Sequence, residues 1–210
     1  MMMNKLGWYA LLIAMCGDLL FSLILSFGYK GYNNLTMSIS ALGNTNSPVR
    51  LPFNIWMILE GLLFLVSIPV FYKTYHPVTN RLTITTLIFI AIFAVGACIF
   101  TGFFSVNETK DVVTTASKIH GAGSTIGFML FLFVPLLTAI ISFKYQDKFL
   151  GLICIIGFIL SLVFFTLFVM SDKPAFANTI ISYEGLWQRL NLLFMYAPLG
   201  VMAVRNILNY

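Results

Sequence analysis

Apolar runs of about twenty residues recur six times along the chain, separated by shorter polar stretches. They fall at roughly Leu6–Tyr29, Phe53–Tyr72, Leu82–Phe104, Ile119–Phe143, Phe149–Met170 and Gly185–Val204. A helix that spans a bilayer needs about 20 mainly apolar residues. The pattern therefore predicts an all-α fold, a polytopic membrane protein built as a six-transmembrane-helix bundle. The alternation of a barrel strand is absent, and a helix satisfies its own backbone groups without water. The third and fifth runs contain no charged residue. No repeat, low-complexity tract or linker interrupts residues 1–210, so a single membrane domain is expected.

Composition strengthens this picture. Of 210 residues, 60% are hydrophobic and 9% charged, against roughly a quarter charged in soluble domains. Such a chain cannot cover itself with polar surface in water. The net charge of +5 is spread without a Lys/Arg cluster, so no nucleic acid is expected as a partner. The first residues have the look of a secretory signal, with Lys5 before an apolar stretch. The run resumes after Asp18, however, and Met15 precedes Cys16 where lipoprotein cleavage needs a small residue. A retained first helix is expected. Cys16, Cys98 and Cys154 all lie inside apolar runs, which points to buried packing residues rather than disulfides.

Loop charge gives an orientation. The two shortest connections, 73–81 and 144–148, are both cation-rich, and short loops near helix ends carry the positive-inside signal. Both termini are therefore expected in the cytoplasm of a cell-membrane, multi-pass protein. The longer segments 30–52, 105–118 and 171–184 would face outward. Asn34-Leu-Thr36 and Asn107-Glu-Thr109 would be glycan acceptors only in a eukaryotic secretory pathway, and they are read as chance.

Charged side chains inside a span cost several kcal/mol and usually face the bundle interior or a wet cavity. The chain places Asp18, Glu60, His120 and Arg189 there, with Gln188 and Asn191 as neutral company. At 1.5 Å per residue, Glu60 lies about 10 Å below the outer end of its helix and Arg189 about 6 Å. His120 stands at the outer lip, and Asp18 lies near the midplane, where it must be paired, protonated or facing water. Glu184 is about 140° from Arg189 around the helix, so the arginine must find a partner elsewhere or snorkel. Its match in depth makes Glu60 the expected partner, as a structural or a functional pair. Gly121, Gly123 and Gly127 leave a bare helix face suited to close packing. Pro69, Pro135 and Pro198 should kink or open their helices.

Several chemistries are excluded. His76 and His120 belong to opposite ends, so they cannot share a haem or build a multi-histidine zinc site. No nucleophile elbow, Walker A sequence or His-Glu-x-x-His occurs, so no metal or other cofactor is indicated. A Ser–His–acid set could be drawn from Ser22, Ser38, Ser40 or Ser124 with His120 and Glu60, but so many serines make it a weak signal.

Three stretches, "LTMSISALGNTNSPVRLPFNIWMILEGLLFL", "KIHGAGSTIGFM" and "YEGLWQRLNLLFMYAPLGVMAV", carry a resemblance. Together they resemble the bacterial and archaeal membrane family known only as domain of unknown function 998. The pattern falls on Ser40, Leu42, Gly43, Asn54, Gly61, His120, Gly121, Gly185 and Arg189. A Pro-x-Asp found in relatives is missing before the fourth helix, where only Glu108 and Asp111 stand. The resemblance implies six helices and a shared outer-face feature, and no activity.

The resulting expectation is a polar cluster toward the outer leaflet, formed by Asp18, Ser40, Asn54, Glu60, His120, Ser124, Gln188 and Arg189. It would bind a membrane lipid or small amphiphile, and could transform it. The alternatives are a non-enzymatic accessory or interaction protein with an unknown protein partner, and a small transporter, which no repeat or paired broken helices support.

Overall fold

A computed structural model describes residues 2–107 and 113–208, with side chains from residue 5 onward. Six helices in it are long and apolar enough to cross a membrane. They are α1 Met2–Ser26, α2 Arg50–Tyr75, α3 Asn80–Phe103, α4 Thr115–Lys144, α5 Lys148–Ser171 and α6 Glu184–Leu208. A short 3-10 turn, Ile39–Gly43, follows α1. The chain is a multi-pass, all-α bundle. Glu108, Thr109 and Asp111, which the sequence singles out, lie outside the described residues.

Because the helices alternate in direction, both termini share one end with the connections 76–79 and 145–147. The connections after α1, α3 and α5 share the other, called here the loop end. Around the bundle each helix packs on the next in chain order, and α6 closes the ring on α1. At the centre, rings from four helices meet. Phe64, Phe93, Phe131 and Tyr196 pair with centroids 4.3–6.3 Å apart, and all four are buried. Aromatic pairs at such distances add to what their burial contributes.

Two irregularities shape the loop end. Within α3, Ala94–Ile99 is wound as a π-helix, a local widening that often occurs at functional sites. It lies between glycines. A Cβ on Gly61 would stand 2.6 Å from the Ala94 carbonyl oxygen, and one on Gly96 would stand 2.5 Å from that of Gly123. Of the bare face expected on α4, Gly123 and Gly127 meet α3, whereas a Cβ on Gly121 would meet nothing within 4 Å. The second irregularity is in α4, which breaks at Leu132–Phe133 before restarting at Val134. Pro135 is the cause, since its ring removes a donor and clashes with the carbonyl four residues back. α2 and α6 continue through Pro69 and Pro198.

The break has a consequence for packing. Beyond it, Val134–Lys144 packs on α5. Before it, Thr115–Phe131 packs on α3 and barely touches α5 or α6. The ring is therefore closed at the terminal end and parted between α4 and α5 at the loop end. At the terminal end Arg205 forms a 3.1 Å ion pair with Asp147, and Asn206 donates to the Tyr75 hydroxyl. α5 is the most apolar helix and the least buried, with 17% of its spanning window inside the protein. Cys98 and Cys154 are buried as expected, but Cys16 is exposed on the outer surface of α1.

Candidate functional site

The loop end holds two polar assemblies, and Arg189 belongs to the first. Its guanidinium does not meet Glu60. Nη1 donates to the carbonyl oxygens of Asn34, Met37 and Gly185 at 2.9, 3.3 and 3.0 Å. Nη2 donates to the Tyr32 hydroxyl and to Asn34 Oδ1, both at 2.8 Å. Tyr32 passes its own proton to the Ser38 carbonyl at 2.8 Å, and Asn34 Nδ2 reaches Ser26 Oγ. Arg189 thus acts as a clamp on the segment 32–38. Burial pushes the Tyr32 hydroxyl above its ordinary pKa, against the opposing charge of Arg189, so it remains a donor. The expected Glu60–Arg189 pair is replaced by backbone recognition. The reason is proximity: the loop carbonyls come within reach because Gly185 has no side chain. A Cβ there would collide with the Met37 and Asn34 carbonyl oxygens. Asn34, whose amide is fully engaged, serves the fold here.

The second assembly is a cavity of about 220 Å³ under that loop. Six of the eight candidate residues line it: Asp18, Ser40, Glu60, His120, Ser124 and Gln188. Arg189 and Asn54 do not. Asn54 donates to Ser105 Oγ, which also accepts from Arg50 Nε, and so ties the start of α2 to the end of α3. Gln188 lines the wall with its carbonyl oxygen accepting from the Ile39 amide at 2.7 Å. This bond holds the 3-10 turn over the cavity.

At the deep end Tyr196 donates to Asp18 Oδ2 at 2.9 Å and lies 3.5 Å from Glu60 Oε1. One hydroxyl has one proton, so the nearer carboxyl takes it. Glu60 is completely buried, and its Oε2 has no hydrogen-bond partner. The hydroxyl of Thr101, also on the cavity wall, has none either. Cys98, a weak donor, adjoins Glu60. The field of Arg189 reaches Asp18, but its hydrogen bonds go to the loop. Phe53, Met57, Phe93, Phe128, Phe165 and Phe168 give the wall its aromatic and apolar character.

Near the mouth, His120 Nδ1 lies 2.9 Å from the Phe104 carbonyl oxygen. A carbonyl can only accept, so Nδ1 carries the proton and Nε2 keeps a lone pair in the neutral ring. The serine set does not assemble around it. Ser22 bonds the Leu19 carbonyl, Ser38 and Ser40 bond each other, and Ser124 bonds the His120 carbonyl. No Ser–His–acid relay is formed among the described residues.

The sequence reading left Tyr196, Thr101 and the phenylalanines of α4 and α5 out of the candidate cluster. A signal for Tyr196 existed: it stands seven residues after Arg189, hence two turns deeper on nearly the same face. For Thr101 there was none, because its position in the cavity depends on how α3 packs.

No curated protein and no solved structure matches the chain. A family model does match, over residues 12–205, and its description is protein of unknown function (DUF998). The match takes in α2 to α5 entirely, with Asp18, Glu60, His120 and Arg189, and the chain belongs to this family of unknown function, DUF998.

Proposed function

We propose that the protein binds a membrane lipid or small amphiphile in the loop-end cavity, with the polar part at Asp18 and Glu60. One observation carries this reading: a pocket with an aromatic wall reaches Glu60, a buried residue with an unpartnered carboxyl oxygen, and lies where α4 and α5 part. Its volume of about 220 Å³ is below the roughly 300–1,000 Å³ that encloses a drug-sized ligand. It suits a head group and the first carbons of a chain. The rest of the chain would leave between Ser124, Thr125 and Phe128 on α4 and Phe165, Phe168 and Val169 on α5. Binding needs no group transfer, and the serine geometry supplies no nucleophile for one.

The test is to purify the protein from its own membranes and identify bound amphiphiles by mass spectrometry. Ser124→Trp should fill the mouth and lower the amount of a stoichiometric amphiphile several-fold. Equal contents in the two proteins would sink the reading. We also place the protein in the cell membrane with both termini in the cytoplasm, on the strength of the cation-rich short connections. With Cys16 replaced, a cysteine at Asn107 should label from outside the cell and one at Thr79 should not. The reverse pattern would invert the topology.

A further inference from the structure

We propose that the cavity selects a positively charged amphiphile, a lipophilic amine whose ammonium sits between Glu60 and Asp18. This rests on the binding reading above and adds the class of head group.

Two acids, Asp18 and Glu60, lie together at the deep end of the cavity, and no lysine or arginine lines it among the described residues. Inside a bilayer such imbalance is costly, and intramembrane acids normally find a cation or a full set of donors. The nearest candidate for a fixed cation, Arg189, has five hydrogen bonds to the 32–38 segment and its own helix. The neutral ring of His120 offers a lone pair toward its free side. The site therefore presents acceptors at two levels, carboxyl oxygens at the bottom and an imidazole nitrogen higher up, while the Gln188 oxygen is taken by the Ile39 amide.

Donors are short at the two acids. Tyr196 supplies one proton to two carboxyls, and Glu60 Oε2, buried completely, receives none. An ammonium brings several donors and a positive charge, and so answers both deficits at once. The surrounding rings suit it as well. Phe53, Phe93 and Phe128 line the same cavity, and a cation near aromatic faces is attracted by their quadrupoles. A hydroxyl head would satisfy Glu60 Oε2 without balancing the charge. A carboxylate or phosphate head would meet the two acids and is disfavoured.

The experiment compares decylamine, decanol and decanoate, equal in chain length and different in head charge. The full-length protein, in phosphatidylcholine nanodiscs, is titrated with each, and the thermal midpoint is followed. Decylamine should raise the midpoint and saturate at least tenfold earlier than the other two. The Asp18→Asn/Glu60→Gln double variant, in identical nanodiscs, should lose that advantage, which separates the site from amine dissolved in lipid. The wild-type comparison stands even if the variant does not fold. Equal effects of decanol or decanoate would overturn the charge class and leave amphiphile binding intact. Sodium chloride alone giving the full stabilisation, with nothing added by decylamine, would make this an inorganic cation site and overturn the proposal. No response to any of the three, together with no amphiphile in the purified protein, would remove both readings.

Discussion

Arg189 and Glu60 sit in the same half of the bundle and differ in how completely they are answered. The arginine meets three carbonyl oxygens, an amide oxygen and a phenol. The glutamate, more deeply buried, has one distant hydroxyl, the weak Cys98 donor beside it and an oxygen with no partner. On the arginine only Nε has no partner; a charge whose two terminal nitrogens are both engaged is part of the fold, and removing it damages the fold. A buried group left short of donors is either an unresolved cost or half of a contact with something else. Here the residue lines a cavity, so the second explanation has a place to act. The comparison teaches that depth alone does not mark function in a membrane bundle. Satisfaction does.

The comparison can be broken first at the clamp. Arg189→Gln should cost about 3 kcal/mol or more, because several buried acceptors lose a charged donor, and it should free segment 32–38. A thermal midpoint within a degree or two of wild type would show that the clamp is dispensable. Combined with Glu60→Gln, the losses should add to within about 0.5 kcal/mol, since the two side chains share no hydrogen bond. Strong coupling would restore the ion pair that the structure replaces.

Gly185→Ala tests the same region from the backbone side. The new methyl would enter the space of two carbonyl oxygens, and forcing the loop away should cost about 1–3 kcal/mol. The same denaturation measurement decides it, and an unchanged midpoint would mean that the loop can shift without loss.

Tyr196→Phe sharpens the other side. It removes the one donor shared by the two acids while keeping the ring in its aromatic cluster, so the loss should be about 1 kcal/mol. Amine binding should persist, because the carboxyls remain. Abolition of decylamine stabilisation would show that the phenol, not the acid pair, makes the site.

The smallest expected effect concerns pH. Burial raises the Tyr32 pKa, so its contribution is fully present below the unfolded value near 10. It should be lost only as pH rises beyond that and the hydroxyl ionises, breaking its bond to Ser38. Tyr32→Phe should be slightly less stable at neutral pH and lack this alkaline component. Identical alkaline curves for the two proteins would dissociate Tyr32 from the clamp.

Sequence alone determined the six spans, to within a few residues at most ends, because apolar length is a local property and the bilayer sets it. It also marked Gly123 and Gly127 as a packing face and placed Asp18, Glu60 and His120 as groups needing an explanation. It could not tell which acceptor Arg189 takes, since backbone carbonyls leave no trace in residue identity. Gly185 hinted at a close approach without naming the loop that makes it. Nor could it show that Asn54 turns to Ser105, away from the cavity. Tertiary structure decided these by bringing together residues more than a hundred positions apart, Tyr196 with Asp18 and Gln188 with Ile39. It also decided where the bundle parts. Pro135 is visible in the sequence, but its break opens a gap between α4 and α5 only because Thr115–Phe131 is held to α3 by the glycine contacts on that side.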